Sequence, residues 1–132
     1  MRLMLDTNIC IYIIKRKPVD VLERFKTYSI SDIAISSVTL AELEYGVAKS
    51  SKPQQNITAL AGFLAPLVIA PLDDRAAIHY GEIRSYLERK GKPIGAMDLL
   101  IASHARSLST TLVTNNLREF KRIPGLRVEN WA

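Results

Sequence analysis

Residues 2–17 read "RLMLDTNICIYIIKRK", in which a short apolar run stops at Asp6 and a longer, mostly apolar segment follows. The run RLML is typical of a short, fully buried strand. The segment after Asp6 carries apolar residues at helical spacing, and its basic residues followed by Pro18 indicate a helix end. The opening of the chain therefore predicts a buried strand, an acidic turn and a helix.

The same alternation of short apolar strands and helices continues along the chain. Further strands are predicted at "IAIS", "LVIAPL", "TTLVT" and "LRVEN". Helices are predicted at "VDVLERFKTYS", "SVTLAELEYGVAKSS", 53–64, "DDRAAIHYGEIRSYLERKG" and "MDLLIASHARSL", with a short helical turn at "NNLREF". Such strands alternating with helices indicate a parallel sheet covered on both faces. We therefore predict a three-layer α/β/α fold with a short central parallel sheet, in a single domain over residues 1–132.

Composition narrows the classes of protein that fit. Cys10 is the sole cysteine among 132 residues, which excludes a disulfide framework and a thiolate zinc site and is compatible with a reducing cytosol. The longest apolar tract, 60–72, contains two prolines and is shorter than the roughly 20 residues of a membrane-spanning helix. The first residues also lack the layout of a signal peptide. We expect a cytoplasmic protein with no membrane partner.

The net charge is positive, and many of the basic residues occur in clusters. The formal net charge of +5 suits a nucleic acid or an acidic partner protein. Basic residues group at "KRK" (15–17), "ERKGK" (88–92) and "LREFKR" (117–122). Because cations also favour the C-terminal turns of helices, these groups are either solvated helix ends or contacts for a partner.

Oxygen-bearing side chains fall near predicted strand ends and helix starts. They are Asp6, Glu42 with Glu44 beside it, Asp98, and Asn116 with Glu119. Ligands of parallel sheets collect at the carboxyl ends of the strands, and hard cations such as Mg²⁺ prefer oxygen ligands. One or two such ions can activate a water and stabilise attack on a phosphodiester. His79 and His104 lie on different predicted helices, so we expect packing or surface roles for both.

Each of these residues also has a purely structural interpretation. Asp6 is suited to capping the helix that follows it, and Asp98 falls in a first helical turn, where a carboxylate is favourable. Asn116 and Glu119 have the spacing of a capping box. Glu42 lies in an amphipathic helix, and periodicity alone does not separate it from Glu44.

Four motifs carry a family resemblance. The segments "MLDTNICIYIIKRKP", "ISSVTLAELEYGVAKS", "PIGAMDLLIASHA" and "LVTNNLREFKRIPGLRVENW" resemble, in this order, the motifs of PIN-domain ribonucleases. More closely, they resemble VapC toxins of bacterial VapBC toxin–antitoxin modules. The resemblance covers essentially the whole chain, and it implies a PIN-like α/β/α domain and a magnesium- or manganese-dependent endoribonuclease.

The resemblance also assigns roles to the acidic residues. Asp6 matches the first acidic position in "LDTN", and Asp98 matches the third in "GAMD". Glu42 matches the second, in the pattern S-x-x-x-x-E-L-x-x-G, which selects it over Glu44. One ion is then held by Asp6 and Asp98, with Glu42 binding directly or through water, and a second ion arrives with the RNA phosphate.

The fourth acidic position departs from many relatives. They carry Asp where this chain has Asn116, so Glu119 becomes the candidate fourth catalytic acid, while the second metal position is open. The side chains expected to line the pocket are Thr7, Asn8, Thr114, Asn115 and Asn116. The cations expected to hold the RNA backbone are Lys15, Arg16, Lys17, Arg118, Lys121 and Arg122.

The resemblance further implies a substrate and partners. The tail motifs resemble members that cut the anticodon loop of initiator tRNA and so inhibit translation. A VapB-type antitoxin neutralises such toxins in the bacterial cytoplasm, and homodimers and larger complexes with antitoxin are common. Two other functions are carried as alternatives, namely another metal-dependent nuclease or phosphatase and a non-catalytic binding module whose acids are caps.

Overall fold

The computed structural model describes residues 2–132 and has the predicted alternation of strands and helices. The strands are β1 (Leu3–Leu5), β2 (Ile33–Ser36), β3 (Val68–Ala70), β4 (Thr111–Val113) and β5 (Arg127–Glu129). The helices are α1 (Thr7–Lys15), α2 (Val19–Lys26), α3 (Ser37–Ala48), α4 (Pro53–Leu64), α5 (Asp74–Arg89), α6 (Ala96–Ser107) and α7 (Leu117–Phe120). A single 3-10 turn, Ile30–Asp32, precedes β2.

The strands form one parallel sheet in the order β3-β2-β1-β4-β5. The chain builds outward from β1 through β2 to β3, and then returns to the other side of β1 for β4 and β5. The strand order therefore reverses between β1 and β4. In open α/β sheets, ligands bind at the carboxyl ends of the strands beside such a reversal.

Side chains of β1 alternate between two cores, one on each face of the sheet. Leu3 and Leu5 join a cluster that includes Ile9 and Val21, whereas Met4 joins a cluster that includes Leu99. Successive side chains of a strand point to opposite faces, so this alternation is expected of a strand that is buried on both sides. The predicted α/β/α layering with a central parallel sheet is thereby confirmed, and β1 is held from both faces.

Local hydrogen bonds show which side chains cap α3 and α5. Ser36 caps α3 by accepting from the Val38 N–H at 3.0 Å, and Asp73, not Asp74, caps α5 through the Ala76 N–H at 3.1 Å. His104 is buried, and its Nδ1 lies 2.8 Å from Ser36 Oγ. That contact ties α6 to the end of β2, so His104 has the packing role expected from the sequence.

The second histidine is also engaged within the protein. The Arg106 Nε–H donates to His79 Nδ1 at 2.8 Å. No helix within residues 2–132 has the length and apolar character needed to cross a membrane.

Candidate active site

Asp6 lies directly after β1, where it is both a helix cap and part of an acidic cluster. Its backbone N–H donates to the carbonyl of Val113 in β4 at 3.0 Å. Its carboxylate accepts from the Ile9 N–H at 2.9 Å, which caps α1. The residue is 5% exposed. The capping role predicted as an alternative is therefore real. It fixes the carboxylate at the carboxyl end of the central strand β1.

The pKa of Asp6 rises from its ordinary value of 3.8 to about 6. Burial is the main cause, and hydrogen bonds from Thr114 and the Ile9 N–H oppose it. The negative charges of Asp98 and Glu42 add to the rise. Asp6, which follows β1, therefore lies within electrostatic range of the acids of α3 and α6, and the hydrogen bond between the neighbouring Thr7 and Glu42 places α3 beside it.

Asp98 extends the same cluster to α7. Its pKa is raised by burial, then by the charge of Glu42 and then by that of Glu119. Although Asp98 is exposed, the acids of α3 and α7 both act on it. The acids that the sequence places near strand ends and helix starts thus converge on one end of one sheet.

The two glutamates of α3 differ in burial and in their contacts. Glu42 is half-buried, and its Oε1 accepts from the Thr7 hydroxyl at 2.6 Å. Glu44 is exposed and is not among the charges that raise the pKa of Asp6 or Asp98. Thr7 Oγ1 also lies 3.5 Å from Thr39 Oγ1. Glu42 is therefore the glutamate of this pair that faces the cluster.

The capping box predicted as an alternative for Asn116 and Glu119 does not form. The Asn116 side chain does not cap α7, and its backbone N–H donates to Thr114 Oγ1 at 3.0 Å. Glu119 instead pairs with Arg122, with Oε2 2.7 Å from Nη2. The carboxylate of Glu119 is thereby free of the helix start and lies on the side of Asp98.

Among the predicted pocket-lining amides, Asn115 has a partner that sequence reasoning missed. Its Nδ2 donates to the Tyr12 hydroxyl at 2.8 Å, whereas Asn8 is exposed. Within residues 2–132, Asn115 Oδ1 is buried with no hydrogen-bond partner. A single sequence carries no signal for a contact between residues 103 positions apart. A buried amide oxygen of this kind is normally satisfied by water or a bound group.

The predicted RNA-contacting cations do not all lie at one site. Lys15 lines a groove between α1, α3 and α4 that reaches Glu42, whereas Arg16 lines a different groove. Lys17, Arg118 and Lys121 are exposed. Arg122, through its ion pair with Glu119, is the predicted cation that directly contacts the acidic cluster.

The donor set suits a hard divalent cation. All four acids offer oxygen, and neither histidine joins them. Within the described residues, no three acidic, histidine or cysteine side chains are arranged as a ready-made ion cage. This is compatible with Mg²⁺, which usually takes one or two carboxylates, several waters and substrate phosphates. The mutual repulsion, which adds to the effect of burial on the pKa of Asp6 and Asp98, is what such a cation would offset.

The chain is similar to known proteins along its whole length. The family model for the PIN domain matches residues 3–126. The tRNA(fMet)-specific endonuclease VapC of Salmonella typhimurium is 50% identical over 132 residues, covering 100% of this chain and 99% of the relative. Among solved structures, DNA-bound VapBC from Salmonella typhimurium matches with a TM-score of 0.94 at 50% identity, over 100% of this chain and 99% of that chain. VapBC2 from Rickettsia felis, bound to a promoter DNA fragment, matches with a TM-score of 0.92 at 48% identity, over the full length of both chains.

Proposed function

The chain belongs to the PIN-domain family of VapC ribonucleases, and we propose that it is the divalent-metal-dependent endoribonuclease toxin of a toxin–antitoxin pair. The observation that carries the proposal is the convergence of Asp6, Glu42, Asp98 and Glu119 at the strand-order reversal between β1 and β4. Residues 1–132 act in this proposal as a single PIN domain, since both cores pack on the same sheet.

In this proposal Asp6 and Asp98 hold the ion, which is Mg²⁺ or alternatively Mn²⁺, and Glu42 binds it directly or through water. When bound, a divalent ion supplies Lewis-acid activation of water and stabilises charge on phosphodiester oxygens. The chain's own contribution is orientation. The Ile9 N–H holds the Asp6 carboxylate, and the Thr7 hydroxyl holds Glu42. These bonds limit the motion of like-charged groups that would otherwise repel one another.

Glu119 is our candidate for the fourth catalytic acid. Its charge acts on Asp98, whereas Asn116 brings an uncharged amide. Thr114, which hydrogen-bonds Asp6, also accepts from the Asn116 N–H, so the turn after β4 is fixed at the cluster. Asn116 then supports the turn and Glu119 supplies charge.

The proposed substrate is a transfer RNA, cut in an unpaired loop. Sequence-specific RNA recognition favours single-stranded loops, whose bases are accessible. A relative that is 50% identical along the whole chain bears the name tRNA(fMet)-specific endonuclease, so the anticodon loop of initiator tRNA is our leading candidate. Cleavage there would inhibit translation, and we place this action in the bacterial cytoplasm.

The proposed protein partner is a VapB-type antitoxin. The two structural neighbours described above are VapBC assemblies at 48% and 50% identity. A basic antitoxin side chain entering the acidic cluster would compete with the metal for the same charges. We also propose that the toxin forms a homodimer and a larger complex with its antitoxin.

The decisive experiment uses purified wild type and Asp6→Asn with total RNA, with Mg²⁺, with Mn²⁺ or with chelator. Wild type should create new 5′ ends in a tRNA anticodon loop only when metal is present, and Asp6→Asn should create none. Single-stranded DNA and a phosphomonoester serve as competing substrates. Cleavage of DNA or the monoester in place of RNA would support the other metal-dependent enzymes, and equal inactivity of both proteins would support a non-catalytic binding module.

A further inference from the structure

A cavity of about 360 Å³ lies at the C-terminal end of α5, outside the acidic cluster. It is lined by Tyr86, Leu87, Lys90, Lys92 and Arg122, and we call it the α5 basic pocket. Two of these cations come from the "ERKGK" segment, whose basic character the proposed catalytic site does not use. The pocket therefore concentrates positive charge and one aromatic ring at a place where only Arg122 has been given a role.

Arg122 connects this pocket to the acidic cluster. Its Nη1 donates to the Lys92 carbonyl at 2.5 Å, and its Nη2 donates to Glu119 Oε2 at 2.7 Å. Glu119 in turn raises the pKa of Asp98. The pocket is thus anchored next to the acids that we propose to be catalytic, and its distance from them is fixed by hydrogen bonds.

The aromatic ring and the cations are arranged as a pair. Lys90 directly follows α5, and its Nζ lies 5.5 Å from the centroid of the Tyr86 ring, one turn earlier in the helix. Tyr86 is partly buried against the core cluster that contains Leu87, which holds the ring in place. Lys90 and Lys92 are exposed, so their charges are available to a ligand.

The charges favour a polyanion that contacts both the acidic cluster and the α5 basic pocket. An RNA strand whose scissile phosphate sits among carboxylates meets repulsion there, and flanking phosphates need cations nearby. Proteins that bind single-stranded nucleic acid combine cations along the backbone with aromatic rings on which bases stack. Arg122 has five N–H donors, so it can keep Glu119 and the Lys92 carbonyl and still donate to a phosphate.

We propose that the α5 basic pocket binds the single-stranded RNA segment that flanks the cleaved phosphodiester. Lys90 and Lys92 each neutralise a phosphate, Arg122 assists them, and Tyr86 stacks on one base. This inference rests on the proposed ribonuclease function, because it assigns that enzyme a binding subsite next to its catalytic acids.

The test measures binding, not cleavage. A short, unstructured, fluorescein-labelled RNA is titrated with protein in chelator, and anisotropy is followed between about 50 and 200 mM salt. For single strands the slope of log affinity against log salt is about 0.7 per neutralised phosphate, so Lys90→Ala/Lys92→Ala should lower it by about 1.4. Tyr86→Leu should weaken binding about tenfold without changing the slope. Tyr86→Phe should bind as wild type does.

The chain offers matched controls outside the lining of the pocket. Lys49 Nζ lies 4.8 Å from the ring of Tyr45, so this pair reproduces the local chemistry away from the pocket. Lys49→Ala/Lys52→Ala removes the same charge, and Tyr45→Leu removes the same ring. Both controls should keep the wild-type affinity and slope. Circular dichroism of every variant verifies that the fold is retained.

The outcomes separate this proposal from the ribonuclease function itself. If the pocket variants and their matched controls change binding equally, the subsite is overturned even when wild type cleaves RNA with metal. If the pocket variants keep the wild-type RNA affinity and salt slope, the proposal is also overturned. Failure of wild-type cleavage with retained, pocket-dependent binding would overturn the catalytic function and leave the subsite standing.

Discussion

Replacing Asp6 by asparagine should make the metal-free protein more stable at neutral pH, although it should abolish activity. The pKa of Asp6 rises from 3.8 to about 6. Each pKa unit corresponds to about 1.4 kcal/mol, so the ionised carboxylate destabilises the fold by about 3 kcal/mol. Because the side chain is only 5% exposed, solvent screening does not remove this cost.

The direction in which stability changes with pH follows from the number of protons that the folded and unfolded states bind. Between pH 3.8 and about 6 the folded protein keeps a proton on Asp6 that the unfolded chain has lost, so the free energy of unfolding falls as pH rises. Below this window both states are protonated, and above it both are ionised. The stability advantage of Asp6→Asn over wild type should therefore grow by about 2 kcal/mol from pH 4 to pH 7.5, because part of the effect is already present at pH 4.

Urea unfolding in chelator, followed by circular dichroism, measures this difference at both pH values. Asp73→Asn, at the exposed cap of α5, gives the effect of the same exchange at a helix start away from the cluster. Added Mg²⁺ should stabilise wild type and not Asp6→Asn. A stability difference between wild type and Asp6→Asn that stays constant with pH would refute the claim that burial and neighbouring acids act on this carboxylate.

Further predictions concern α3, α7 and the core. Glu42→Gln should lower kcat/KM for RNA at least about a hundredfold, the scale of losing an oriented charged group, while Glu44→Gln, on the exposed side of α3, should change it less than twofold. Glu119→Gln should lower activity more than Glu44→Gln, and equal effects of the two changes would remove Glu119 from the site. Met4→Ala should lower the free energy of unfolding by about 2–5 kcal/mol in denaturant melts, because it opens a cavity in a fully buried strand; a loss below about 1 kcal/mol would contradict the assignment of Met4 to the core.

The sequence predicted the alternation of elements well because buried strands and amphipathic helices have different periods. Strand ends were less certain, since "LVIAPL" is apolar throughout while β3 pairs only over Val68–Ala70. The choice of Glu42 over Glu44 needed a family motif, because both positions suit an amphipathic helix. The capping box at Asn116 failed because Thr114 and Arg122, neither counted in that motif, bind the groups it requires. The roles of the acidic residues stay predictions.

The strand order also sets when the acidic cluster can assemble during synthesis. β1 is among the first segments made, yet its neighbour β4 begins only at Thr111, and β4 provides the Val113 carbonyl that receives the Asp6 N–H. A growing chain that already contains Asp6, Glu42 and Asp98 still lacks that strand and the Thr114 hydroxyl. Long-range parallel pairing of this kind forms late. A partly made chain therefore cannot yet hold Asp6 as the finished sheet does, and this arrangement of the acids forms only when the protein is almost complete.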